Sequence, residues 1–217
     1  MEGLYLVTDC ELCGTRGVEW VVAQAVKGGA RYVQLREKEL SSRAFVDLAS
    51  RIQRMLAAVG VPLIINDRID VALAVGAAGV HIGQEDMRYE TARRLMGPSA
   101  LIGLSVETWE DVVQARDLDV DYLGVSPVFA TPTKIDTKGV WGLEGLSRIK
   151  AFSRQPLVGI GGLNAANAEA AVMAGADCIA VVSAVCAARD PFQAARELSR
   201  IVREALGKMA AFRAGST

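Results

Sequence analysis

Pro62-Leu63-Ile64-Ile65-Asn66-Asp67-Arg68 and Gly79-Val80-His81-Ile82-Gly83-Gln84-Glu85-Asp86-Met87, joined by an alanine-rich segment, read as strand, helix, strand. Pro62 to Ile65 is a short apolar run of β-formers, Ile69 to Val75 is rich in apolar residues and stops at Gly76, and Val80 to Ile82 is a second short run. A helical crossover returns the chain parallel, so Asp67 and Asp86 emerge on one rim. Two carboxylates there suit a hard cation, because magnesium commonly takes one or two protein carboxylates, several waters and substrate phosphate oxygens. A single Asp after a strand is more often a cap or turn residue. What favours the metal reading is company: Asn66 adjoins Asp67, and Gln84 lies close to Asp86.

The same order of elements recurs along the chain. Strands are expected at Leu4 to Thr8, Tyr32 to Leu35, Leu101 to Leu104, Tyr122 to Val125, Leu157 to Ile160 and Cys178 to Val182. Helices are expected at Val18 to Lys27, from a Ser41 or Ser42 cap to about Val59, and at Thr108 to Leu118 and Leu143 to Phe152. Two more follow, an Asn-capped Asn164 to Ala174 and Phe192 to Leu206. Helices repeatedly stop at glycine with the next strand at once, as in Val75-Gly76-Ala77-Ala78-Gly79 and Ala174-Gly175-Ala176-Asp177. Short returns and strands without polar alternation are what a closed parallel sheet requires. The pattern therefore predicts an α/β protein, one (β/α)8 TIM barrel over residues 1–217 with 207–217 as a frayed tail. An open doubly wound sheet would want a glycine fingerprint after the first strand, and Thr8-Asp9-Cys10-Glu11 is not one.

With 217 residues, 51% hydrophobic content and a net charge of −1, the chain is long enough to bury one large core, and its charge points to neither nucleic acid nor an anionic membrane. The start, Met1-Glu2-Gly3-Leu4-Tyr5-Leu6-Val7, has no basic segment and no long apolar run, so a cytoplasmic location is expected. Cys10-Glu11-Leu12-Cys13 has the CxxC spacing of redox and half-zinc sites, but no second pair completes it and His81 is the only histidine. Structural roles are expected for Cys10 and Cys13, and for Cys178 and Cys186 as small core hydrophobes.

In such a barrel the chemistry sits where strands end. In Gln34-Leu35-Arg36-Glu37-Lys38 alternation sends Gln34, Arg36 and Lys38 to one side, an amide and two cations suited to diphosphate or, failing that, a solvated cluster. Ser105 is either a helix cap or a ligand-facing hydroxyl. The stretch from Ser126 to Gly139 is long for such a connection, dense in hydroxyls and carries Lys134, which marks a functional loop. Gly159-Ile160-Gly161-Gly162 and Val181-Val182-Ser183-Ala184 end the last two strands, where barrels often hold a phosphate on backbone N–H groups. The rim thus has two anion sites, one beside the carboxylates and one around the last three loops. No Cys–His or Ser–His pair is legible near it, so covalent catalysis is not expected.

Taken in order, Tyr5-Leu6-Val7-Thr8, Gln34 to Lys38, Ile65 to Arg68, Val80 to Asp86, Ser126-Pro127-Val128-Phe129, Thr131-Pro132-Thr133-Lys134, Gly159 to Gly162 and Val182-Ser183 resemble thiamine phosphate synthase across essentially the whole barrel. The resemblance implies a transferase of thiamine biosynthesis. It would join 4-amino-2-methyl-5-(diphosphooxymethyl)pyrimidine and hydroxyethylthiazole phosphate, plain or carboxylated, to give thiamine phosphate and pyrophosphate. It further implies that Gln34, Arg36, Glu37, Lys38, Asn66 and Lys134 hold the pyrimidine diphosphate and that Asp67 and Asp86 bind Mg2+. Ser105 would lie by the pyrimidine, and Thr131, Pro132, Thr133, Gly162, Val182 and Ser183 would hold the thiazole phosphate. Arg36, Lys38, Ser105 and Lys134 are the implied catalytic groups. Its partners are then two small phosphorylated substrates, and a homo-oligomer stays open.

Two other readings remain. A related thiazole tautomerase uses a histidine near the end of the sixth strand, where this chain has Ser126-Pro127, and His81 reads as a hydrogen-bonded core histidine. A phosphate-binding sensor without catalysis is disfavoured by Asp67, Asp86, Arg36 and the lysines standing together in their motifs.

Overall fold

The computed structural model describes residues 1–131 and 139–214. Among these, eight parallel strands close into a barrel: β1 (Gly3–Val7), β2 (Ala30–Leu35), β3 (Leu63–Asn66), β4 (Gly79–Ile82), β5 (Leu101–Val106), β6 (Tyr122–Val125), β7 (Leu157–Gly159) and β8 (Cys178–Val181). β1 pairs in parallel with both β2 and β8, which closes the sheet. The helices are α1 (Cys10–Cys13), α2 (Val18–Lys27), α3 (Ser42–Ala57), α4 (Ile69–Val75), α5 (Tyr89–Met96), α6 (Trp109–Ala115), α7 (Gly142–Phe152), α8 (Ala168–Met173), α9 (Ser183–Cys186) and α10 (Pro191–Ala214). None among the described residues is long and apolar enough to cross a membrane.

Both strand faces are buried, which is why the strands read as unbroken apolar runs. Leu4 and Leu6 belong to the large core with Val21, Ile52 and Leu198 of the helices, whereas Tyr5 and Val7 join Ile64, Tyr122, Val158 and Ala180 in a smaller cluster. Alternation along β1 thus puts Leu4 and Leu6 under the helices and Tyr5 and Val7 inside the barrel.

Carboxylates at the amino ends of the strands are spent on structure. Asp121 accepts from the Ile102 N–H at 2.8 Å and pairs with Arg93 at 2.8 Å. Asp177 does the same for the Leu157 N–H at 2.8 Å and pairs with Lys150 at 2.6 Å.

Three readings of the sequence are corrected. The Asn-capped helix begins at Ala168, not at Asn164, because Asn164 and Asn167 close a turn in which Asn164 Oδ1 accepts from Ala166 N and Asn167 Oδ1 from Asn164 N. The last helix continues past Leu206 to Ala214, with Met209 packed on the core and Lys208 paired with Glu169 at 2.6 Å, and residues 215–217 of the expected tail lie outside the described residues. Three short helices, α1, α5 and α9, were not read at all.

Candidate active site

At the carboxyl ends of the strands lies a cavity of about 420 Å³. A larger groove of about 1120 Å³ runs along α10 at the opposite end, away from the paired carboxylates. The smaller cavity is the candidate active site, because Gln34, Arg36, Lys38, Asn66, Asp67 and Asp86 converge on it from β2, β3, β4 and the segments that follow them. Ser105 reaches it from β5, and Thr131, Gly162, Val182 and Ser183 come from beyond β6, β7 and β8. Glu37 is absent from this wall: its side chain is half-buried beside Asp9, Oε1 has no partner, and burial first and Asp9 second push its carboxyl up. Arg36 and Lys38 line the cavity while Glu37 between them does not, in a segment that follows the end of β2 at Leu35. Pro132, Thr133 and Lys134 lie outside the described residues.

Local hydrogen bonds set each functional group. Thr8, buried, accepts from the Arg36 N–H at 3.1 Å and so extends the β1–β2 ladder to the start of the basic segment. Asp67 N donates to His81 O at 2.9 Å, and Asp67 takes φ 60°, a left-handed conformation that Asp tolerates better than most residues. Asp86 Oδ2 accepts from Gly83 N at 2.7 Å, closing the turn that carries it. Turn residue and candidate ligand are therefore one group, whose carboxyl also meets that of Asp67.

Asp67 meets Asp86, and among the described residues no salt bridge pairs either of them with a cation as at the amino ends. Burial first, then the contact with Asp86, pushes the Asp67 carboxyl up to about 6, against the opposing pull of Lys38 and Arg36. Burial and the neighbouring carboxylate penalise the charged form of Asp67, a penalty that a divalent cation held between the two groups would relieve. No cluster of three or more acidic, Cys or His residues occurs among the described residues, so phosphate oxygens and water would complete such a shell.

Across the cavity the loops after β6 and β7 are locked together. Val128 N donates to Ile160 O at 2.8 Å and Phe129 N to Gly161 O at 3.0 Å. Gly161 (φ 95°) and Gly162 (φ 65°) both have positive φ, and a β-carbon there would stand 2.6 Å from Pro127 Cβ and 2.7 Å from Ala130 O respectively. These glycines are required by backbone strain and by close approach together. Arg16 anchors the neighbouring corner, donating to Cys186 O at 2.7 Å just after the Val182-Ser183 segment.

Sequence reasoning missed the floor. His81 is hydrogen-bonded, as expected, yet partly exposed in the cavity, with Nδ1 3.0 Å from Tyr122 Oη and Nε2 2.8 Å from Ser105 Oγ. A Ser–His contact thus exists where none was read, because β4 and β5 are paired in register at His81 and Gly103, two residues before Ser105. Tyr5 and Tyr122 also line the cavity. Their only sequence signal was aromatic side chains on inward positions of short strands. The CxxC pair does not act together: Cys10 is exposed, and buried Cys13 pairs with Cys186, a contact that lowers the Cys13 thiol and raises that of Cys186.

A family model described as thiamine monophosphate synthase matches residues 4–185, from β1 into α9. A thiamine-phosphate synthase of Albidiferax ferrireducens is 56% identical over 92% of this chain and 91% of its own length. One of Leptospira biflexa is 49% identical over 89% of this chain and 94% of its own. A solved thiamine phosphate pyrophosphorylase from Pyrococcus furiosus superimposes with a TM-score of 0.87 at 38% identity, covering 94% of this chain and 97% of that one. A 3-hexulose-6-phosphate synthase with a TM-score of 0.70 and 16% identity shares the fold alone. On a match that spans the barrel and relatives alike over nearly their full length, the chain belongs to the thiamine monophosphate synthase family.

Proposed function

We propose that the chain joins 4-amino-2-methyl-5-(diphosphooxymethyl)pyrimidine to hydroxyethylthiazole phosphate in the cytoplasm, forming thiamine phosphate and pyrophosphate. Its family makes it a transferase with thiamine-phosphate synthase activity. The substrate reading is carried by one observation: a single cavity is lined by Asp67, Asp86, Arg36 and Lys38 on one side and by Thr131, Gly162, Val182 and Ser183 on the other. Two phosphorylated ligands meeting between those sides is the arrangement such a division supports.

Asp67 and Asp86 would hold Mg2+, which when bound supplies positive charge for the departing diphosphate. Arg36 and Lys38 add donors for the same oxygens, so C–O cleavage is favoured by stabilising the leaving anion. Asn66 orients the diphosphate beside them. Gly162 and the Val182-Ser183 segment offer backbone N–H groups, and Thr131 a hydroxyl, to the thiazole phosphate. Fixing that phosphate positions the thiazole nitrogen against the pyrimidine CH2 carbon, and proximity provides much of the remaining advantage. The pyrimidine amino group pushes electrons toward that carbon, favouring dissociation to a pyrimidine-methyl cation that the nitrogen captures.

Pyrophosphate release tests this reading. It should require both substrates and magnesium together, with thiamine phosphate formed in equal amount. Release of pyrophosphate without the thiazole, or none with all three present, would reject it.

A further inference from the structure

Between Gln34 and Ser105 runs a chain of side chains to which the reaction as described gives no role. Gln34 Nε2 donates to Tyr5 Oη at 3.1 Å, Tyr5 Oη lies 3.0 Å from Tyr122 Oη, Tyr122 Oη 3.0 Å from His81 Nδ1, and His81 Nε2 2.8 Å from Ser105 Oγ. The barrel is shaped around it. A β-carbon at Gly103 would stand 2.5 Å from His81 Nδ1, and one at Gly124 2.8 Å from His81 Cε1. β5 and β6 therefore give up two side chains at the level of the imidazole.

Counting protons gives the chain a direction. Burial raises both phenols above their ordinary range, so each keeps its O–H. A buried O–H needs an acceptor. Tyr5 already accepts from Gln34, so its own proton goes to Tyr122, and the Tyr122 proton goes to His81 Nδ1. A ring nitrogen that accepts carries no proton, which leaves His81 neutral with its hydrogen on Nε2, donating to Ser105 Oγ.

We propose that Tyr5, Tyr122 and His81 are positioning residues that polarise the two cavity-facing ends of this relay oppositely. Gln34 Oε1 is thereby held as the acceptor for an exocyclic amino group, and Ser105 as an O–H donor to a ring nitrogen. The proposal rests on the aminopyrimidine reading above and names how that ring is selected. A 4-oxo pyrimidine presents the inverse pattern, a carbonyl against Gln34 Oε1 and a ring N–H against the Ser105 hydroxyl, and is rejected. The same polarity disarms the Ser–His contact: with its proton on Nε2, His81 cannot take the Ser105 proton, and Ser105 is not an activated nucleophile.

His81 is the only histidine in the chain, so nitrogen NMR of protein labelled with 15N-histidine reports this one ring. At neutral pH the wild type should show a neutral imidazole protonated on Nε2 with a bare Nδ1. Protonation on Nδ1, or an imidazolium, would overturn the proposal. Tyr5→Phe cuts the relay next to Gln34 and frees the amide to turn. In competition binding with the 4-amino and 4-oxo pyrimidine diphosphates, it should reduce the preference for the amino form by about tenfold or more, with thiazole phosphate affinity unchanged. An unchanged preference would also overturn it. Should Tyr5→Phe fail to fold, the wild-type spectrum decides alone. Neither readout needs turnover, so the relay and the proposed reaction, tested by pyrophosphate release, fail separately.

Discussion

The carboxyl of Asp67, half-buried at the end of β3, rests against that of Asp86 at the end of β4, and burial together with this contact lifts it to about 6. An unfolded Asp titrates near ~3.9. The folded chain thus holds this proton more tightly, which stabilises the fold fully below about pH 4 and is lost as the pH rises through about 6. Without metal, Asp67→Asn should melt with the wild type at about pH 4 and above it at about pH 8, since the amide stays neutral throughout. Equal melting temperatures at both ends of that range would contradict the carboxylate strain.

Metal removal should separate the two halves of the cavity. EDTA is expected to abolish turnover, and Asp86→Ala to cut it by about a hundredfold or more, as loss of a charge-stabilising group does. Binding of thiazole phosphate, measured by calorimetry, should persist in both cases. Full activity of Asp86→Ala in chelator would remove the carboxylates from the reaction.

The thiazole side has its own weak point. Gly161→Ala places a side chain at φ 95° with Pro127 Cβ 2.6 Å away, so the loops after β6 and β7 must separate. A stability loss of ~1–3 kcal/mol is expected from the strained conformation. Kinetically, KM for the thiazole phosphate should rise while KM for the pyrimidine diphosphate holds. An equal rise in both would mean a general collapse of the rim instead.

The cysteines should divide by burial and not by motif. Cys10→Ser is expected to change neither melting temperature nor turnover, because Cys10 is exposed. Cys13→Ser puts a more strongly polar hydroxyl where a buried thiol meets Cys186, and should cost about 1–2 kcal/mol of stability with turnover kept below the melting range. Zinc binding by the wild type would contradict this division.

What the sequence made legible was whatever the period of a single element carries. Ile69–Val75 and Val18–Lys27 fall on the helices observed, since an apolar face, a terminal glycine and its neighbours are all local. That Asp67 and Asp86 share one cavity was legible because each follows a strand within one crossover unit. Failure came where a residue's role is set by a strand distant in sequence: His81 meets Ser105 only through the β4–β5 register, and Tyr5 meets Tyr122 across 117 residues of chain. Glu37 lies off the cavity wall, which a motif read as a block does not reveal for its middle residue. α10 ran on past Leu206 because Met209 found a surface that no helical period reveals.

The order of bond breaking gives the last prediction. The Ser–His contact at 2.8 Å makes covalent catalysis a fair question. The relay puts the imidazole proton on the wrong nitrogen for it, so Ser105→Ala should weaken pyrimidine binding or slow turnover, and rapid-quench measurements should show no burst of pyrophosphate with the wild type or the variant. Arg36 and Lys38 beside the carboxylates instead favour a departing diphosphate. If the C–O bond breaks before the C–N bond forms, positive charge develops on the pyrimidine CH2 carbon, and substituents that withdraw electrons oppose it. Replacing the 2-methyl group of the pyrimidine by trifluoromethyl should therefore slow the chemical step by about a hundredfold or more in single-turnover measurements, a change in barrier of about 2.7 kcal/mol, with diphosphate binding little altered. A rate that is unchanged or increased would mean that the thiazole nitrogen attacks while the diphosphate is still attached, and the cation would have to be given up.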